Sequence, residues 1–118
     1  VNEHVVYLYE PLHPAVLRMV SSTVEAGHRA GIPVAMCGEM AGETLYIPIL
    51  LGMGLDELSM NAMSIPLAKK VIRSLRMQDC RLLAQKVFEF GTPEEIHRCI
   101  REIVGGWFPN GIESIPAN

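Results

Sequence analysis

Residues 32–38 read Ile-Pro-Val-Ala-Met-Cys-Gly, a short apolar run that ends abruptly in a cysteine and a glycine. Such a run between turn signals is typical of a strand buried on both faces, as in a parallel sheet. Upstream of it, apolar residues recur every three to four positions between Pro14 and Ala30, and Gly31 follows. Proline suits the first turn of a helix and glycine its end, so we predict an amphipathic helix followed by a buried strand over residues 32–36.

The residues that follow repeat this alternation. Residues 41–52 form a second helical pattern, with Pro48 within its first two turns. Residues 55–61 alternate weakly between apolar and polar and predict a second strand. Ser64 then offers a side-chain oxygen to cap a helix over residues 66–75. The order helix, strand, helix, strand, helix predicts a parallel α/β sheet, because parallel neighbours need a crossover and a helix is the usual one.

The C-terminal half of the chain has helical periodicity only. We predict one helix over residues 77–89 and a last one that ends near Val104. The last helix opens with a capping box, in which Thr92 and Glu95 can each satisfy a free N–H of the first turn. Residues 105–118 hold three glycines and two prolines without periodicity. We therefore divide the chain into a domain over residues 1–104 and a partly disordered tail over residues 105–118.

Two parallel strands are too few to cover their own faces and edges. The composition agrees, because 49% of the 118 residues are hydrophobic, only 19% are charged and the mean hydropathy is +0.23. Typical domains carry about 25% charged residues. We therefore expect the sheet to continue in residues outside this chain or in a second copy of it. The chain would then be either a homo-oligomer or a piece of a larger protein.

Charge and cysteine content exclude several classes of protein. The net charge of −3 makes nucleic acid a poor partner. The cysteines Cys37, Cys80 and Cys99 are widely spaced without a CxxC pair, and His97 adds only one further ligand for a zinc site, so we expect a reducing, cytoplasmic setting. The longest apolar run, residues 46–53, is far shorter than the roughly 20 residues of a membrane span. We predict no membrane span and no secretory signal.

The residues most suited to chemistry are Cys37, Gly38 and Glu39, which follow the first strand. Ligands of parallel α/β folds gather beyond the carboxyl ends of the strands. Glycine there lets the backbone approach a ligand, and a helix that begins near Gly42 would offer free N–H groups to an anion. Position alone leaves two interpretations of Cys37 open. It is either a functional thiol or a small buried apolar residue.

Several motifs in the right order resemble one family. Residues 33–42 (PVAMCGEMAG), 50–60 (LLGMGLDELSM) and 64–66 (SIP), together with residues 8–14 (LYEPLHP) and 69–73 (KKVIR), look like the C-terminal part of Enzyme I. This family comprises the phosphoenolpyruvate-protein phosphotransferases of the bacterial sugar phosphotransferase system. The resemblance covers residues 2–104 and leaves the tail outside it.

The resemblance implies a fold and a reaction. The fold is a phosphoenolpyruvate-binding (β/α)8 TIM barrel, of which this chain would be the last quarter, with the strands at Ile32 and Leu55 as the seventh and eighth. In the family, phosphoenolpyruvate phosphorylates a histidine of a separate N-terminal domain, which passes the group to a phosphocarrier protein. The remaining enolate is protonated to pyruvate. The cysteine that matches the family's proton donor is Cys37, and Gly38 and Glu39 match its substrate loop.

The proton-donor role agrees with thiol chemistry. A thiol with the ordinary pKa of about 8.5 is mostly neutral at pH 7, as a general acid must be. We expect a mostly buried site without a cationic neighbour, which would keep the thiol neutral.

The family's magnesium ligands and most of its phosphate-binding arginines would lie outside this chain. Its phosphorylated histidine is absent too, because His4, His13, His28 and His97 match no phosphoacceptor motif. We interpret these four as surface or packing residues. The chain alone should therefore be catalytically inactive.

Other interpretations remain open. The nitrogen-related paralogue of Enzyme I would look similar here. Pyruvate phosphate dikinase shares the CGE loop but usually has a histidine and a second glycine where Met40 and Ala41 stand. A dimerisation module without catalysis fits the surplus of apolar surface, and a thiol redox sensor at Cys37 fits less well because no resolving cysteine is near in sequence. Cys80, Cys99 and the seven methionines are interpreted as packing residues.

Overall fold

A computed structural model describes residues 3–116, which form helices and two short parallel strands. The helices are α1 (Pro14–Arg29), α2 (Glu39–Gly42), α3 (Ile47–Gly52), α4 (Ile65–Ser74), α5 (Met77–Val87) and α6 (Pro93–Trp107). The strands are β1 (Ala35–Met36) and β2 (Glu57–Leu58), and 3-10 turns cover Val6–Leu8 and Ile112–Ser114. The predicted order of helices and strands, with a parallel pair, is thus present.

The two strands pair in parallel, with Ala35 opposite Glu57. The amide of Ser59 donates to the carbonyl of Met36 at 2.7 Å. The prediction that the first strand is buried on both faces was wrong for the described residues, because Ala35 is exposed and Ile32 is 57% exposed. A strand is buried on both faces only where further layers cover it, and a two-stranded sheet has one covered side.

The helix predicted over residues 41–52 is divided into α2 and α3. A turn over residues 43–46 separates them, and Pro48 lies in the first turn of α3. Proline lacks the N–H that would bond the preceding turn, so the helix restarts where that N–H is not needed. The predicted cap at Ser64 was also wrong. Its amide and hydroxyl both donate to Asn61 Oδ1, at 3.0 Å each.

The core consists of apolar side chains between the helices. The largest cluster joins α1, α3, α5 and α6, and α3 packs mainly against α5. Cys80 and Cys99 are buried, as predicted for packing residues. Met36, Met40, Met53 and Met60 pack against the clusters, whereas Met19, Met63 and Met77 are 72%, 93% and 46% exposed, so the prediction that all seven methionines are packing residues was wrong for these three. No helix among residues 3–116 is long and apolar enough to cross a membrane.

The capping box at the start of α6 is confirmed. Thr92 Oγ1 accepts from the amide of Glu95, and Glu95 Oε2 accepts from the amide of Thr92. The helix runs on through Gly105 and Gly106 to Trp107, so the predicted domain boundary falls inside α6. Beyond it, Ile112 and Ile115 pack against a buried cluster. The members of this cluster are Ile47, Ala68 and Val71.

Candidate functional site

The carboxyl ends of β1 and β2 lie side by side, because the strands are parallel and adjacent. A cavity of about 320 Å³ opens between the two segments that follow them. Its lining comes from the loop after β1, from α2 and from the residues after β2. The lining residues are Gly38, Glu39, Gly42, Glu43, Ser59, Met60, Asn61 and Ser64.

The turn out of β1 depends on Gly38. Its backbone has φ +87° and ψ −168°, a combination that is essentially restricted to glycine. The carbonyl of Gly38 accepts from the amide of Ala41 at 3.2 Å, so the turn leads directly into α2. The expectation of a helix that begins near Gly42 was wrong. Gly42 ends the four-residue α2, which begins at Glu39.

Cys37 is an exposed free thiol at the end of β1. It borders a second, mostly apolar groove of about 450 Å³, together with Leu8, Tyr9 and Met40. The expectation of a mostly buried thiol was wrong for the described residues, because nothing covers the side of the loop that faces this groove. Gly38 borders the polar cavity, and Glu39 borders both. The structure thus places the three predicted site residues on one loop between two concavities.

The cavity at the strand ends is acidic. Glu39 and Glu43 line it, and no Lys, Arg or His of residues 3–116 does. Asn61 Oδ1 is already occupied by the amide and hydroxyl of Ser64. Over residues 3–116, no group of three or more His, Cys, Asp or Glu side chains is close enough to hold a metal ion. An anion bound here would need positive charge from outside this part of the chain.

The opposite ends of the strands carry a polar pair that sequence patterns did not reveal. Asp56 Oδ2 lies 2.7 Å from His28 Nε2 and accepts from the amide of Val34 at 2.8 Å. The Val34 amide first, and His28 second, hold the pKa of Asp56 below its usual value. This contact joins α1 to the start of both strands. No local pattern relates residues 28 positions apart, which is why the sequence did not indicate this pair.

A second pair connects α6 to the segment beside the Cys37 groove. His97 Nε2 lies 3.3 Å from Glu10 Oε1, which also accepts from the amide of Leu12. The His97 ring meets Tyr46 edge-on, with 6.1 Å between centroids. Burial, with the nearby charge of Glu43, raises the pKa of Tyr46. His97 is therefore a packing residue, as predicted, with a partner that the sequence did not indicate.

The remaining candidates have structural roles. His13 Nδ1 accepts from the amide of Ala15 at 3.1 Å and caps α1. Burial raises the pKa of the Cys80 and Cys99 thiols, which lowers their reactivity. Cys37 is the one exposed cysteine of the three.

Comparison with known proteins gives consistent matches. A family model described as "PEP-utilising enzyme, PEP-binding domain" matches residues 1–77. The chain is 46% identical over 101 residues to the phosphoenolpyruvate-protein phosphotransferase of Bacillus subtilis (strain 168), which covers 86% of this chain and 18% of that protein. The protein of the same name from Haemophilus influenzae is 43% identical over 103 residues, or 87% of this chain and 18% of that protein. The chain thus spans only 18% of the length of these relatives.

Proposed function

Because the chain belongs to the family of PEP-utilising enzymes, as their PEP-binding domain, we propose that it forms part of a phosphoenolpyruvate-protein phosphotransferase. The proposal also includes more specific assignments of fold, location, assembly and partner. They comprise the last quarter of a TIM barrel, a cytoplasmic homo-oligomer and a phosphocarrier protein served through a separate N-terminal domain.

The observation that supports this proposal most strongly is the position of Cys37. Its thiol is exposed at the carboxyl end of a parallel strand, beside the end of the neighbouring strand. That is where barrel enzymes place catalytic groups. Because the thiol borders the apolar groove and not the acidic cavity, the methylene carbon of the substrate would have to lie on the groove side of the loop.

The proposed reaction has two parts. The P–O bond of phosphoenolpyruvate breaks, and the phosphoryl group passes to a histidine nitrogen on another domain. The electron pair left on oxygen forms the enolate of pyruvate. Cys37 Sγ–H then gives its proton to the methylene carbon, which produces pyruvate and a thiolate, and water returns the proton to sulfur.

Gly38 and Glu39 would serve the same loop. Gly38 has the backbone conformation that turns the loop toward the cavity, where its N–H can face substrate. Glu39 borders both concavities and would hold the loop in place. Magnesium, which neutralises the phosphate when bound, would be held by residues outside this chain. The acidic side chains of the cavity alone do not form a ligand set.

The test is a Cys37→Ser exchange in a whole enzyme that contains this segment. We expect pyruvate formation to fall about 100-fold or more, the usual contribution of a general acid. Phosphorylation of the histidine should be retained in a single turnover, since the thiol acts after that step. Cys99→Ala is the matched control, because it removes a buried thiol in α6. Full pyruvate formation by the serine variant would refute the acid role.

A second candidate function, an interaction module without catalysis, is favoured by one observation. Large apolar side chains lie exposed on the first part of the chain, including Leu8 at 66%, Tyr9 at 60% and Met19 at 72%. Exposed apolar groups of this kind, where contiguous, mark interaction sites. The nitrogen-related paralogue and pyruvate phosphate dikinase remain alternatives within the same family, and the thiol redox sensor remains an alternative outside it.

A further inference from the structure

The polar face of α4 carries three cations side by side. Arg73 follows Lys69 by four residues and Lys70 by three, so its guanidinium shares a helix face with each lysine. Across residues 3–116, none of the three forms a salt bridge, and α4 itself contains no acidic residue. Like charges at this spacing repel each other. The helix therefore holds an excess of positive charge that no described side chain offsets by pairing.

These cations border a cavity of about 250 Å³ rather than a flat surface. Its far wall is the segment after α6, and no acidic side chain among residues 3–116 lines the cavity. The lining residues are Pro66, Lys69, Lys70, Arg73, Ser74, Ile115 and Pro116. Ile115 fixes the far wall by packing against the buried cluster of Ile47, Ala68 and Val71. Two separate parts of the chain thus form one basic cavity.

The donors and the size of the cavity favour one kind of ligand. Ser74 Oγ already donates to the Lys70 carbonyl at 2.9 Å, so the free donors are the two ammonium groups and the guanidinium. The planar fork of Arg73 matches two oxygens of a phosphate, and lysine binds phosphate as a point charge. A cavity of 250 Å³ is smaller than typical sites for drug-sized ligands, so it suits a few heavy atoms rather than a macromolecular chain.

We propose that the cavity between α4 and residues 112–116 is a binding site for a phosphate group, either free or carried by a small phosphomonoester. It shares no residue with the cavity at the strand ends. The proposal does not depend on the reaction proposed for Cys37.

The first experiment is a titration of the chain with inorganic phosphate, at an ionic strength kept constant with sodium chloride. We expect saturating NMR shifts in the amides of α4 and of residues 112–116. Lys70→Gln and Arg73→Gln should each weaken phosphate binding about tenfold, since each removes one charge-assisted contact. Arg81→Gln, an exposed arginine of α5 outside this cavity, is the charge-matched control and should bind phosphate normally.

Two further arms separate a built cavity from a charged patch. Ile115→Ser keeps all three cations but loosens the far wall, and we expect phosphate affinity to fall at least fivefold while helix content is retained. A titration with glycerol 3-phosphate distinguishes the two forms of the ligand. If the site accepts phosphomonoesters, glycerol 3-phosphate shifts the same amides as inorganic phosphate; if the site accepts only free phosphate, it does not. Shifts that fail to saturate, or that saturate in Arg73→Gln with unchanged affinity, would overturn the proposal. Binding of polyglutamate without binding of phosphate would overturn it too, and would assign the face to an acidic protein.

Discussion

At the scale of the residue, the conformation of the loop that carries Cys37 depends on Gly38, whose backbone adopts a conformation that other residues rarely adopt. Nothing lies within 4 Å of the position that a Cβ would occupy, so space is not the constraint. The constraint is the positive φ, which strains any L-residue. The thiol, the turn and the start of α2 therefore depend on one glycine.

A Gly38→Ala exchange tests this dependence. We expect the free energy of unfolding to fall by about 1–3 kcal/mol, or the loop to leave its present conformation, because alanine is strained at this φ and ψ. Urea denaturation measures the first effect, and the amide shifts of Cys37 and Glu39 measure the second. The control is Gly105→Ala in α6, where a Cβ also meets open space but φ is helical, and where we expect a gain of about 0.5 kcal/mol. Equal behaviour of the two variants would contradict the role assigned to Gly38.

Asp56 predicts a pH dependence of stability. The amide of Val34, and then His28, hold its pKa below the ordinary value of 3.8. A carboxyl group with a lower pKa in the folded chain stabilises the fold while ionised. This contribution is therefore complete above the unfolded value and is lost as the pH falls through the folded value. Acidification below pH 4 should accordingly release the contact between α1 and the strands.

The measurement is the melting temperature between pH 2 and pH 6 in Asp56→Asn and His28→Ala. In Asp56→Asn, the melting temperature should fall less steeply than in the unchanged chain as the pH is lowered. The alanine variant should keep the larger part of the unchanged chain's fall, because the Val34 amide is the larger cause of the lowered pKa. A full fall of the melting temperature in Asp56→Asn would show that another group is responsible.

At the scale of the element, α3 and α5 approach so closely that Gly52 has no room for a side chain. A Cβ there would overlap the carbonyl group of Cys80 and press on Ala84. The nearest obstacle is the backbone of α5 and not a flexible side chain, so no side-chain rotation can relieve the overlap. Gly52 therefore sets the distance between the two helices rather than simply ending α3.

We expect Gly52→Ala to lower the free energy of unfolding by about 3 kcal/mol, the upper end of the range for overpacked cores. Thermal or urea denaturation gives this value directly. Gly91→Ala is the matched control between α5 and α6, because its Cβ would meet nothing within 4 Å and the change should stay below about 0.5 kcal/mol. If Gly52→Ala lowered the free energy of unfolding as little as Gly91→Ala does, α3 and α5 would be able to move apart without loss of stability, and the role assigned to Gly52 would be wrong.

The elements with a strong local signal were predictable from sequence. Apolar spacing located α1, α5 and α6, Ser64 marked the start of α4 although its side chain does not cap it, and the Thr92 capping box is present as expected. The resemblance of the segment around Cys37, Gly38 and Glu39 to the phosphoenolpyruvate-protein phosphotransferases is confirmed by the comparisons. The break before Pro48 was missed because the apolar pattern continues across it. The partners of His28 and His97 were missed because pairs 28 and 87 residues apart leave no local trace.

At the scale of the whole molecule, the two-stranded sheet leaves more apolar surface than the helices cover. Val5 and Val6 are exposed, and so are Leu8 and Tyr9, which border the Cys37 groove and are 66% and 60% exposed. A chain with only 19% charged residues has few polar groups to separate such patches. Burial of this surface against a second copy would remove it from water, which is the dominant favourable contribution to most associations.

We therefore predict that the chain self-associates through the surface around Leu8, and that sedimentation at increasing concentration shows a monomer giving way to a dimer. Leu8→Asp should weaken this association at least tenfold, because it places a charge where apolar contact is made. Leu82→Asp is the matched control, since Leu82 is exposed to a similar extent (57%) but lies on α5. A chain that remains monomeric at tens of micromolar would contradict the prediction. An equal loss of association in both leucine variants would also contradict it, because the contact would then not be specific to the surface beside Cys37.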